Sequence, residues 1–518
     1  MIFVRPWDVV KLDSEPGSPS LRSAVSQLAE PMYGPFIGGE RQSPSGVPLF
    51  DSIDPATGET VARIALGGQA EIDAAVTAAT EAQRVWAALG GSRRAELIWA
   101  WTEAFLARTE EIALADVHDM GKVISDARYD TPKAAKFARY WAGMADKLTG
   151  EQIPATAGYL SYTVKQPLGI IGIILPWNGP TIMFVARVAI ALACGNAVIV
   201  KPSELAPRSA LLLAEAGTAA GLPPGLINVV PGDGSTGHAL VTHPHVAGVN
   251  FTGSVASGRA VAVAAAPSFK KVVLELGGKA PNIIFEDADL DEAARGAVWG
   301  VFQNAGQVCS AATRLLVQRS VAGQVMDRLT SLAGRIRVGD PSDPTSHIGP
   351  VVSQAQHLRV LDYLDSARSD GARLTAGGSA PGPSRSPRGF YVEPTIVTSL
   401  DPGARVAREE IFGPVLSVLE FDDEADALAL ANGTVYGLTA NVWTTDLRKM
   451  VRLADGLECG VVWGNSAMLM DPALPFGGIK DSGLGVASGR EAIDTMTRLK
   501  RVSVRFQADA PIPAWSDL

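Results

Sequence analysis

The apolar run GIIGIIL at residues 169–175 is followed, one helix length later, by AVIVKPS at 197–203. LINVVPG at 226–232, AGVNFTGS at 247–254 and KVVLELGG at 271–278 repeat the pattern. Each run is short and rich in β-branched residues, and helix-length segments such as APRSALLLAEAGTAAGL at 206–222 separate them. Strands alternating with helices predict a parallel, doubly wound sheet, and so an α/β fold class. A second alternating set runs from APNIIF at 280–285 to GVVWGN at 460–465, which predicts a second α/β domain.

Upstream, AEIDAAVTAATEAQRVW at 70–86 places Ile72, Val76, Ala79 and Trp86 on one helical face, and the helical pattern continues to about Lys147. Two strand-like segments stand outside both sets: GYLSYTVKQPLG at 158–169 and LKRVSVRF at 499–506. Either could pair with another element or another subunit. Residues 1–30 mix Pro, Ser and Gly and read as an extension, and 377–389 as a Pro/Gly/Ser surface loop.

The totals narrow the function. A chain of 518 residues exceeds a single core and predicts at least two domains. With 54 acidic against 45 basic residues and no long basic run, nucleic acid is not the expected partner. The most apolar region, 169–200, is interrupted by Pro176, Asn178, Arg187 and Asn196, so no membrane span is expected. Three cysteines and no secretory pattern at the N-terminus predict a reducing compartment, the cytoplasm.

Within this frame a few residues carry chemistry. In FQNAGQVCSAATR at 302–314, Cys309 sits among small and polar neighbours. It is either a nucleophile with room for a substrate or a packed thiol leading into a strand near Ser310. Cys194 and Cys459 read as packing. Glu275 ends an apolar run before two glycines, where a carboxylate is either solvated or held at a sheet edge as a base. Asn178, in the Pro-flanked turn PWNGP, is either an oxyanion donor or an Asx-turn residue. Gly253 and Ser254 precede a helix with Gly258 on its first turn, suiting a phosphate. Lys201 and Glu204, in VKPSE, suit a ribose or are plain surface charge.

The order of PWNGP, GNAVIVKPSE, FTGS, LELGGKAPNIIFEDADLD, GQVCSA, EEIFGPV and PFGGIKDSG resembles that of the aldehyde dehydrogenase superfamily, from about Ile37 to Phe506. The resemblance implies a Rossmann-type NAD-binding domain (31–150 and 168–277), a catalytic α/β domain (278–485) and a small bridging β element (151–167 and 496–507). It also implies a homodimer or homotetramer. By motif, Cys309 resembles the nucleophile that forms a thiohemiacetal and then a thioester. Asn178 resembles the oxyanion donor, and Glu275 the base that activates water. Lys201 and Glu204 match the adenosine-ribose contacts, Gly253 and Ser254 the pyrophosphate turn. Glu410 with Phe412 matches the nicotinamide-ribose site, Trp177 lies beside it, and Gln356 is a further ribose contact. The implied cofactor is NAD, with NADP as the second candidate, and no metal is implied.

Departures from the family pattern bear on the substrate. Gly179 and Ala186 stand where aromatics are common, Arg187 for a usual lysine, and Val486–Ala487 for an Arg–acid pair. A tunnel of Gly179, Met183, Ala186, Val308, Ser310, Met470 and Phe476 predicts a bulky aromatic or long-chain aldehyde. A semialdehyde dehydrogenase, a coenzyme A-acylating enzyme and an inactive relative are the alternatives.

Overall fold

The computed structural model describes residues 31–378 and 389–507, so the extension at 1–30 and most of the loop at 377–389 lie outside the described residues. The first five apolar runs form the strands Ile170–Ile174, Ala197–Lys201, Ile227–Val229, Val246–Thr252 and Lys271–Glu275, parallel throughout. Every residue of Ile170–Ile174 and of Ala197–Lys201 is buried. Helices cover both faces of such a sheet, so its strands read as unbroken apolar runs and not as alternation.

Across the sheet the order is Lys271–Glu275, Val246–Thr252, Ile170–Ile174, Ala197–Lys201, Ile227–Val229. This is the doubly wound Rossmann order, and it reverses between Ile170–Ile174 and Val246–Thr252. Short antiparallel strands finish both edges, Phe36–Ile37 with Glu40–Arg41 at one and Gly483–Leu484 at the other. Gly483–Leu484 falls in the segment expected to be catalytic, yet it pairs with Lys271–Glu275. It covers backbone groups that would otherwise form an open edge.

The helix Gln69–Ala88 buries Ile72, Val76, Ala79 and Trp86, the face that the spacing predicts. The Trp86 indole donates to the Leu192 carbonyl at 2.8 Å, which satisfies its one polar group inside the core. Leu192 belongs to Pro180–Ala193, which is buried along most of its length. Its first residue is proline, whose preset φ and missing N–H suit a helix start.

The second set forms a seven-stranded sheet ordered Arg373–Ala376, Thr395–Thr398, Val415–Phe421, Arg314–Gln318, Pro281–Ile284, Thr439–Trp443, Val461–Gly464. Only Arg373–Ala376, at the edge, runs antiparallel. The strand after Cys309 starts at Arg314 and not near Ser310, which leaves the cysteine in a loop. The two outlying segments pair with each other: Tyr159–Pro167 and Thr497–Arg505 form an antiparallel ribbon from Tyr159↔Arg505 to Pro167↔Thr497. Among the described residues no helix is long and apolar enough to cross a membrane, and no group of three or more His, Cys, Asp or Glu could hold a metal ion.

Candidate active site

A cleft of about 270 Å3 opens at the point where the order of the first sheet reverses. Crevices outside the carboxyl ends of parallel strands form there because adjacent connections leave toward opposite faces. Pro176, Trp177 and Asn178 follow one strand into the cleft; Thr252 ends its neighbour, and Gly253 and Ser254 follow it. Glu275 and Gly277 enter from the third strand end, Cys309, Glu410 and Phe412 from loops of the second sheet, and Gln356 from the start of the helix Gln354–Ser369.

The cysteine loop is tied down at several points. Asn304 and Ala305 hold φ of +50° and +55°, a left-handed conformation that costs side-chain-bearing residues roughly 1–2 kcal/mol each. Side chains keep them there. Gln307 Nε2 donates to the Asn304 carbonyl at 3.1 Å, and Gln307 Oε1 accepts from the Val352 N–H at 2.8 Å. Asn304 Nδ2 donates to the Asn178 carbonyl at 3.0 Å. Asn178 Nδ2 in turn donates to the Gln307 carbonyl at 2.9 Å. One amide hydrogen of Asn178 is thus spent on orienting the side chain, and the second is available to a ligand oxygen in the cleft.

Glu275 is 3 % exposed, and neither carboxylate oxygen has a hydrogen-bond partner. Burial pushes its pKa up to about 8, against the pull of Arg187. Cys309 is half-buried; burial, then the negative fields of Glu275 and Glu410, push its thiol up to about 12. At neutral pH the thiol therefore keeps its proton beside a carboxyl group whose pKa suits proton transfer in water.

Glu410 is held by geometry on three sides. Its Oε1 accepts from the Gly278 N–H at 3.0 Å. A Cβ on Gly277 would collide with the Glu410 carboxylate, so a larger residue there would displace that side chain. Arg359 Nη2 donates to the Glu410 carbonyl at 2.6 Å. Gln356 Nε2 donates to the carbonyls of Ile411 and Phe412, both at 2.9 Å, so only its Oε1 remains for a ligand. Phe412, at φ +60°, meets the Trp177 ring edge-on with 5.2 Å between centroids. Burial raises the Glu410 pKa to about 7 while the Gly278 N–H and the nearby Arg359 and Lys279 hold it back.

These groups suit a dinucleotide. Val255–Ala265 starts in the cleft, capped by Ser254, whose Oγ accepts from the Ser257 N–H at 3.2 Å. Helix N-termini expose backbone N–H donors to a phosphate. Lys201 and Glu204 lie outside the cleft lining, at and just beyond the end of the next strand, with Nζ and Oε2 at 3.4 Å. That is one strand farther along the sheet edge, where the far end of an extended ligand would reach.

The expected substrate residues behave differently. None of Gly179, Met183, Ala186, Val308, Ser310, Met470 and Phe476 lines this cleft. Ser310, next to Cys309, directs its hydroxyl to the sulfur of Met468 at 3.3 Å. The loop thus brings Met468 to the residue next to the cysteine. Arg359 and Thr252 also line the cleft without having been singled out from sequence. Arg359 follows Gln356 by three residues on the helix Gln354–Ser369, a spacing that places both on one face.

The sequence profile of the aldehyde dehydrogenase family matches residues 42–502. A betaine aldehyde dehydrogenase from Cereibacter sphaeroides is 43% identical over 486 residues, covering 93% of this chain and 99% of that protein. PnpE from Pseudomonas sp. WBC-3 superposes with a TM-score of 0.92 at 39% identity, over 94% of this chain and 100% of its own. The NAD+ complex of an aldehyde dehydrogenase from Bacillus cereus superposes with a TM-score of 0.90 at 37% identity, over 95% and 99% of the two chains.

Proposed function

The chain belongs to the aldehyde dehydrogenase family, and from that premise we propose that it oxidises an aldehyde to the carboxylic acid through a covalent adduct on Cys309, with NAD as the hydride acceptor. The observation that carries the mechanism is the convergence of Cys309, Glu275 and Asn178 on one cleft with the groups that fit a dinucleotide.

Glu275 takes the thiol proton, and the Cys309 sulfur attacks the aldehyde carbon. The oxyanion that forms accepts hydrogen bonds from the free amide hydrogen of Asn178 and the backbone N–H of Cys309. These donors are already fixed in place, so the transition state gains their full stabilisation without reorganisation. When bound, the nicotinamide supplies the oxidising power by accepting a hydride from the adduct carbon. Glu275, having released the thiol proton to solvent, then removes a proton from water as that water attacks the thioester. Collapse expels the Cys309 thiolate and yields the acid. A buried carboxylate poised at this position supports water, and not coenzyme A, as the acyl acceptor.

Glu410 and Gln356 Oε1 would accept from the nicotinamide ribose hydroxyls, the Ser254 helix start would hold the pyrophosphate, and Lys201 with Glu204 the adenosine ribose. A carboxylate at Glu204 repels a 2′-phosphate, which supports NAD over NADP. The 31–150 and 168–277 segments would form the cofactor domain, and 278–485, apart from its edge strand, the catalytic one. A two-stranded ribbon is marginal alone, and Leu160, Leu499, Val504 and Phe506 are exposed on or beside this one. That supports a homodimer or homotetramer in which the ribbon is covered.

For the substrate, the flexible Met468 against Ser310, and Gly179 directly after the cleft residue Asn178, support a bulky apolar aldehyde. A small cationic aldehyde, as named for the 43% identical relatives, is the second reading. Initial rates with phenylacetaldehyde, decanal, betaine aldehyde and succinic semialdehyde, with NAD, separate them. A kcat/KM highest for phenylacetaldehyde or decanal is expected. Betaine aldehyde as the best substrate would replace the apolar reading.

A further inference from the structure

Arg187 is 3 % exposed and belongs to Pro180–Ala193, the helix that begins just after Asn178. Its Nη1 donates to the Ala487 carbonyl at 2.9 Å, and its Nε has no partner. Among the described residues no carboxylate forms an ion pair with it within the distances that mark the molecule's other salt bridges. A buried guanidinium held by one backbone carbonyl is costly unless negative charge faces it. The geometry shows where that charge sits. Gly483 is the cross-strand partner of Glu275, and the chain turns from there to Ala487, Arg187's acceptor. The Ala487 N–H donates to the Phe476 carbonyl at 2.9 Å. A Cβ on Gly477, the next residue, would stand 3.6 Å from Glu275 Oε1 and 2.6 Å from the Gly485 carbonyl. The Phe476–Gly477 and Gly485–Ala487 backbones thus wrap Glu275 and Arg187 together, and both side chains keep unpaired polar atoms there.

We infer that Arg187 is a positioning residue: its fixed positive charge holds the single negative charge that Cys309 and Glu275 exchange during turnover. The inference rests on the roles proposed above for those two residues. The charged groups facing the pair are Arg187 from the helix and Glu410 from the opposite wall; the 476–477 and 485–487 segments bring none. Arg187 stabilises the anion on either member, and both carboxyl and thiol lie in its field. When the proton passes from sulfur to Glu275, one bond to hydrogen breaks and one forms, and the net charge beside Arg187 stays the same. Two simultaneous anions would outnumber the one cation and repel each other. Arginine keeps its proton under all working conditions, so Arg187 carries charge without relaying protons.

The test is iodoacetamide alkylation of Cys309 in the full-length protein, followed by mass spectrometry of its peptide across pH 6–10. Arg187→Met should slow alkylation of Cys309 at least tenfold at pH 7.5 and move its half-maximal pH upward by about one unit. Arg187→Lys should restore most of the wild-type profile. The pH at which kcat rises should move the same way in Arg187→Met, with KM for the aldehyde little changed. Thermal melting and Cys194 protection report whether each variant is folded. If folded Arg187→Met, or the better-tolerated Arg187→Gln, alkylates with the wild-type pH profile, the inference is overturned. If alkylated wild-type enzyme instead keeps full dehydrogenase activity, the fault lies with Cys309 as nucleophile and not with Arg187.

Discussion

The two sides of Cys309 are built by different means. On the proposed cofactor side, Trp177, Gly253, Ser254, Gln356, Glu410 and Phe412 stand around one cleft, held by strand ends, a helix start and backbone hydrogen bonds. On the proposed substrate side, the loop from Gly464 to Gly478 brings the Met468 side chain against Ser310, the neighbour of the thiol. Backbone-built sites follow from topology, since the reversal of strand order creates the crevice whatever side chains line it. Side-chain-built pockets follow from packing, which one residue changes. The cofactor side should therefore be sensitive to few substitutions and severely so, and the substrate side to many and mildly.

The chemistry between the two sides should break hardest. Cys309→Ala should lower kcat by at least about 10^4-fold in steady-state assays while the melting temperature stays near wild type. Glu275→Gln should slow thioester hydrolysis about 10²–10⁴-fold. Since the Glu275 pKa is raised to about 8, only the fraction deprotonated can take a proton from water. Wild-type hydrolysis should thus climb from pH 7 to 9 and level off above, and Glu275→Gln should be flat across that range in stopped-flow measurements. Asn178→Ala removes one preorganised donor and should lower kcat by about 10²–10³-fold, or about 3–4 kcal/mol, with KM for NAD unchanged.

Smaller effects separate the two sides themselves. Glu204→Ser should raise the NADP/NAD ratio of kcat/KM by about tenfold, the equivalent of about 1.4 kcal/mol, and leave aldehyde preference alone. Met468→Ala should change the ranking of aldehydes by no more than about tenfold and leave cofactor binding alone. A change in cofactor ratio from Met468→Ala would show that the two sides are coupled.

The sequence carried the first sheet because strands buried on both faces must be apolar throughout, as in Ile170–Ile174 and Ala197–Lys201. It carried the order of motifs that places Glu275, Cys309 and Asn178 together. Local patterning does not encode meetings between distant side chains. Arg187 reaches the Ala487 carbonyl across 300 residues of chain, and Met468 reaches Ser310 across 158. Each is ordinary in its own segment and acquires meaning only when two loops close on the same point. The substitutions at 187, 486 and 487 were visible, but which group replaced the missing charge contact was not. Gly483–Leu484 lay beyond reach for a related reason: two residues carry no periodicity, and the edge they cover exists only after the sheet has formed.

The central claim is that the acyl group is carried by Cys309 and released through Glu275. It is tested most directly by the intact mass of Glu275→Gln after mixing with NAD and phenylacetaldehyde, followed by peptide mapping. A mass increase equal to one acyl group on the peptide containing Cys309, with none on those of Cys194 or Cys459, is the expected result. Turnover at the wild-type rate with no adduct, or an adduct on another cysteine, would contradict it.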